Sequence, residues 1–133
     1  MQSFEDLKVW QKSRILCQEI FDLITTGKFA KDFALIDQIN RSSGSVMDNI
    51  VEGFGRMGNR EFINFLSYSY GSVLECKSQV YRAFDRSYIS YEKMDDLFII
   101  IEEIKKMINA LISYLGKSDL KGQKFKARDN KKL

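Results

Sequence analysis

Leu7, Trp10, Cys17, Ile20, Phe21 and Ile24 recur near helical spacing over residues 4–24, with polar and charged residues between them, and predict a first helix. Thr25, Thr26 and Gly27 break the pattern. Ile36, Ile39, Ser43, Val46, Ile50 and Gly53 then alternate steps of three and four, the narrow stripe of a second helix that packs at a shallow angle. The glycines between positions 53 and 58 end it, and Asn59 is placed to cap a third helix. That helix presents Phe62, Phe65, Leu66, Ser69, Val73, Cys76, Val80 and Ala83, and is expected to stop near Arg86. Ser90 is placed to cap a fourth, with Glu92, Asp95 and Asp96 in early turns where the helix dipole favours negative charge. Met94, Leu97, Ile101, Ile104, Ile108, Leu111 and Leu115 form its stripe, and Gly116 follows where a C′ glycine releases a helix.

Four helices of about twenty residues joined by short loops pack most simply as antiparallel neighbours crossing at roughly 20°. The expected fold is therefore all-α, an up-down-up-down antiparallel four-helix bundle over residues 1–116. The 133-residue length suits one domain, and the absence of proline permits long uninterrupted helices. No stretch reaches the roughly 18 apolar residues of a membrane span, and the N-terminus is acidic where a signal peptide is basic. A cytoplasmic protein without membrane contact is expected.

Charge divides the chain unevenly. The net charge is +3, yet residues 117–133 alone carry +5, which leaves −2 on residues 1–116. Lys117, Lys121, Lys124, Lys126, Arg128, Lys131 and Lys132 make this tail the densest cationic segment, and its composition predicts disorder. It is the first candidate for nucleic-acid contact, and Arg56, Arg60, Arg82 and Arg86 on the helices are the second.

Catalytic chemistry finds little support. Histidine is absent, which removes the commonest general base and the Ser-His and Cys-His nucleophile arrangements. Cys17 and Cys76 form no CxxC pair, and both are expected to be reduced, buried and inert. Gly53-Phe54-Gly55-Arg56-Met57-Gly58 spells GxGxxG with Glu75 downstream, but a dinucleotide fingerprint must follow a strand, and this one follows a helix. The glycines are better read as the helix terminus, with Gly53 allowing close backbone approach. No catalytic, cofactor-binding or metal-ligating residue is assigned, and the chain is expected not to be an enzyme.

Polar and small residues point instead to contacts. Asn49, Glu52 and Arg56 share a face of the second helix, and Glu75 on the third is a candidate to join them in a network between helices or between subunits. Gly44 and Gly71, each in a cluster of serines, sit inside otherwise good helices at about 1 kcal/mol each relative to alanine, so a close-packed seam or subunit interface is expected there. Six tyrosines and ten phenylalanines exceed what one bundle core holds, which suggests a subunit interface.

Phe4-x-x-Leu7-x-Val9-Trp10, Asn49-Ile50-x-Glu52-Gly53-x-Gly55-Arg56, Glu61-Phe62-x-x-Phe65-Leu66, Gly71-Ser72-x-x-Glu75 and Tyr88-Ile89 together resemble the 23S rRNA intervening-sequence protein family. The resemblance extends over about residues 4–115 and is most specific in the Asn-Ile-x-Glu-Gly-x-Gly-Arg stretch. It implies a bacterial, cytoplasmic four-helix bundle assembled as a homopentameric ring, without catalytic activity and with a role in binding nucleic acid. Relatives in that resemblance include the accessory variability proteins of diversity-generating retroelements, which bind a reverse transcriptase. Two functions are therefore expected: an oligomeric protein that binds RNA or DNA, or an accessory subunit whose protein partner does the chemistry.

Overall fold

The computed structural model describes the backbone of residues 3–132 and the side chains of residues 3–118. Among the described residues there are four α-helices: α1 Lys8–Ile24, α2 Phe33–Phe54, α3 Asn59–Asp85 and α4 Tyr91–Lys132. Single 3-10 turns at Phe4–Asp6 and Phe29–Lys31 precede α1 and α2.

Cross-helix contacts define the topology. Along α2 and α3, Gln38 meets Arg82, Ser42 meets Gln79, and the Val46 carbonyl accepts from Ser69, so one helix ascends as the other descends. Asn59 with Leu115 and Lys77 with Glu102 run α3 and α4 in opposite senses. Lys12 with Glu103 and Glu19 with Lys93 do the same for α1 and α4. α2 is therefore also antiparallel to α1, and the order is up-down-up-down, each helix packed on its chain neighbour and α1 closing on α4.

Side-chain periodicity explains the core. Leu35, Ile39, Val46 and Ile50 of α2, Leu66, Val73, Cys76 and Val80 of α3, and Leu97, Ile101, Ile104 and Ile108 of α4 are buried. The stripe of α1 differs from the expected one: Val9, Ser13, Leu16, Ile20 and Ile24 face inward, while Phe21 is 55% exposed. Ser13 belongs to that stripe because its hydroxyl donates to the Val9 carbonyl at 2.7 Å, which satisfies it without a partner helix.

Helix ends follow local chemistry. Asp32 caps α2 by accepting from the Leu35 N–H, and Ser90 caps α4 by accepting from the Lys93 N–H, the latter as the sequence predicts. Asn59 is not a cap. Gly58, at φ +108°, takes the N-cap position of α3, and the Asn59 amide instead donates to the Leu115 carbonyl on α4. Gly116 does not end α4, which continues as helix to Lys132. It lacks the positive φ of a C′ glycine, which among the described glycines only Gly27 and Gly58 adopt, and one interior glycine at about 1 kcal/mol does not stop a long helix.

Gly53 explains why α2 and α3 approach so closely. A Cβ there would lie 2.7 Å from the Phe65 Cβ and 3.3 Å from the Phe62 carbonyl oxygen. Gly44 and Gly71 behave differently, because a Cβ at either meets nothing within 4 Å. The expected close-packed seam within the chain is thus absent at both.

Candidate functional site

The four candidate arginines, Arg56, Arg60, Arg82 and Arg86, divide between the two ends of the bundle. Arg56 and Arg60 flank the connection from α2 to α3, and the Asn59 to Leu115 hydrogen bond at 3.2 Å brings this end beside the point where α4 passes Lys117. Arg82 and Arg86 lie at the other end of α3, about 33 and 39 Å along it from Arg60 at 1.5 Å per residue. The four arginines therefore do not form one patch.

At the first end, Arg56 is held. Its guanidinium donates to Glu52 at 2.8 Å, lies 3.9 Å from Glu61 and sits 5.1 Å over the Phe65 ring. Arg60 and Lys117 are exposed and have no ion-pair partner among the described residues. Met57, at 96% exposure, stands between Arg56 and Gly58 at the tip. The remaining tail cations, Lys121, Lys124, Lys126, Arg128, Lys131 and Lys132, lie outside the residues whose side chains are described.

At the opposite end Asp32 gathers three donors. The Tyr88 hydroxyl and the Arg86 guanidinium both donate to it at 2.8 Å, alongside the capping N–H of Leu35. The hydrogen bond from Tyr88, then that from Leu35 and the Arg86 charge, hold its carboxyl below the usual carboxylate range. The same bond to Asp32 raises the Tyr88 phenol. Arg86 is thus engaged in joining two connections of the fold.

The expected network of Asn49, Glu52, Arg56 and Glu75 does not assemble within the chain. Asn49 donates to the Ser45 carbonyl on its own helix, and Glu52 pairs with Arg56. Glu75 lies elsewhere, in an open groove of about 350 Å³ between α2 and α3. Gln38, Arg41, Ser42 and Ser45 line one wall, and Ser72, Glu75, Gln79 and Arg82 the other. The separation follows from helical phase: Glu52 and Arg56 sit at the C-terminal end of α2, whereas Glu75 is level with its middle.

The groove has unused polar capacity. Arg82 donates only to the neutral Gln38 amide, Arg41 pairs with Asp37 on the rim, and Glu75 has no partner among the described residues. Gln79 is 8% exposed and accepts from Ser42 through Oε1, while its Nε2 makes no hydrogen bond among the described residues. The sequence named Glu75 and Arg82 but missed Gln38, Arg41 and Gln79. Their i, i+3 and i, i+4 spacing was the available signal, and it acquires meaning only when α2 lies against α3.

Cys76 is buried in the core, and burial pushes its thiol up to about 12. Cys17 is half-buried, where full burial was expected. Its thiol, raised first by desolvation, donates to the Ser43 carbonyl at 3.2 Å. Glu102 and Glu103 both pair with lysines. Glu102 bridges Lys77 and Lys105, hydrogen bonds that lower its carboxyl, and Glu103 pairs with Lys12 at 2.6 Å. No helix among the described residues is long and apolar enough to cross a membrane.

A family model described as 23S rRNA-intervening sequence protein matches residues 5–110. No curated protein matches the chain. Among solved structures, the chain is similar to a protein of unknown function from the S23 ribosomal protein family of Bacteroides thetaiotaomicron. The two share 24% identity and a TM-score of 0.71 over 78% of this chain and 97% of that one. At that identity the likeness extends to the fold.

Proposed function

Given that the chain belongs to the 23S rRNA-intervening sequence protein family, we propose that it is a non-catalytic, self-associating bundle that binds RNA or DNA through salt-dependent contacts. The observation that carries this reading is the placement of the cations. Seven Lys or Arg fall in the last seventeen residues, and the Asn59 to Leu115 bond sets the unpaired Arg60 beside the point where that segment leaves the bundle. Phosphate neutralisation supplies most non-specific affinity, and dense cations at one end fit that chemistry.

Self-association is supported by side chains the fold leaves outside. Phe33, Tyr68, Tyr81, Tyr91 and Tyr114 are 47–79% exposed, and Gly44 and Gly71 have no packing role within the chain. A pentameric ring, as the resemblance implies, would present several tails together and add avidity.

The test removes residues 117–133 and measures binding to RNA and DNA at several salt concentrations. The intact protein, contacting roughly four phosphates per tail, should show a slope of log K against log salt near −3 or steeper, and truncation should collapse both affinity and slope. Unchanged affinity after truncation would move the site onto the bundle. Binding seen only with a polymerase-like protein present would favour the accessory-subunit reading, which the exposed tyrosines also suit.

A further inference from the structure

We propose that the groove between α2 and α3 is a pocket for one unpaired guanine of a single-stranded nucleic acid. The proposal rests on the reading that the chain binds nucleic acid, and assigns a base-reading site separate from the cationic tail. Its starting point is the set of groove groups that the fold leaves without a protein partner among the described residues. Gln79 is nine-tenths buried as a residue and accepts from Ser42 through Oε1, while its amide nitrogen has no partner among the described residues and, not being sealed in the core, is reached from the groove it lines. Glu75 is a carboxylate without a partner among the described residues, although two arginines line the same groove.

A ligand fitting these groups must bring acceptors for Gln79 and Arg82 and a donor pair for Glu75. Among the four common bases, guanine alone carries two adjacent N–H donors, N1–H and the N2 amino group, which one carboxylate accepts in parallel. Its O6 lies beside N1 on the same edge, where an amide nitrogen donates to it. Adenine, cytosine and uracil each put an acceptor where one of these donors is needed. Arg41 and Arg82 supply charge for the attached phosphate, since Arg82 has no carboxylate partner among the described residues and Arg41 stands at the open rim. The volume of about 350 Å³ lies at the small end of ligand sites, on the order of 300 to 1,000 Å³, and suits one nucleotide. Reading unstacked bases by their Watson–Crick edges is the usual mode for single strands.

The experiment compares binding of the full-length protein to a fluorescent uridine nonamer and to the same nonamer with a central guanosine, with deoxy versions run alongside. The guanine-containing strand should bind at least about fivefold more tightly, the low end of what one bidentate base contact discriminates. Glu75→Gln should abolish that preference while leaving affinity for the uridine strand unchanged, and Glu75 is exposed, so the variant should fold with an unaltered melting temperature. Gln79→Leu, which also removes the Ser42 partner, should weaken the preference in the same direction. Equal affinity for both strands, or a preference that survives in Glu75→Gln, overturns the guanine pocket and leaves tail-driven binding standing. If neither strand binds at any salt concentration, the nucleic-acid reading falls and the pocket with it.

Discussion

The Tyr88 hydroxyl donates to Asp32 Oδ2 at 2.8 Å, joining the residue that caps α2 to the connection between α3 and α4. The Tyr88 ring also stacks on Phe29 with centroids 5.2 Å apart, so one tyrosine secures two loops that lie 56 residues apart in the chain. Ser87, beside it, holds φ at +61°, an uncommon conformation for a residue with a side chain.

This pair defines a pH window. Asp32 has a folded-state pKa below its unfolded value, so its contribution is present above about pH 4 and is lost as pH falls through the depressed pKa. Tyr88 is shifted upward, so its contribution is present below about pH 10 and is lost as pH rises through the raised pKa. Tyr88→Phe should lower the melting temperature at neutral pH and flatten both limbs of its pH profile. An unchanged profile would show that the hydrogen bond contributes nothing.

Gly53→Ala and Gly44→Ala should move stability in opposite directions. The first forces a Cβ to 2.7 Å from Phe65, and overpacking of about 1 to 3 kcal/mol outweighs the roughly 1 kcal/mol gain in helix propensity. The second meets nothing within 4 Å and should gain up to about 1 kcal/mol. Denaturant melts of the two variants decide the matter.

Light scattering should report a particle several times the 15.5 kDa chain mass. If Gly44 and Gly71 lie where protomers meet, alanine there should raise the fraction of monomer even as each bundle becomes more stable. A wild-type monomer at micromolar concentration would remove self-association from the proposed function.

Leu97→Ala and Ile104→Ala, at positions 1% and 0% exposed, should each cost about 2 to 5 kcal/mol. Leu111, also on the sequence stripe, is only half-buried and should lose less on the same change. Equal losses at all three would contradict the burial pattern around Leu111, midway along α4.

Thiol labelling in the native state should be slow at Cys76, whose pKa stands near 12, and faster at half-buried Cys17. Both should react readily once the protein is unfolded. Rapid native labelling of Cys76 would show that the core opens there.

The sequence by itself determined the helices and most of the core. Three-four repeats such as Met94, Leu97, Ile101, Ile104 and Ile108 state both the element and its inward face, because helical phase is a local property. It also determined one cap that uses a side chain's own neighbours, Ser90, though not the equally local cap at Asp32. Only the tertiary structure decided where a polar residue finds a distant partner. Asn59 looked like a cap and instead reaches Leu115, 56 residues away, and Glu75 looked like a companion of Arg56 and instead lines a groove with Gln79 and Arg82, level with the middle of α2. The phase of α1 was decided there too. Ser13 lies inward and Phe21 outward because a serine that bonds its own helix can enter a close-packed seam, whereas a choice between two apolar faces is settled only by the helices packed against them. Gly53 and Gly44 look alike in the sequence. One is required by the Phe65 side chain and the Phe62 backbone pressed against it, and the other faces open space, a difference that exists only once α2 and α3 have met.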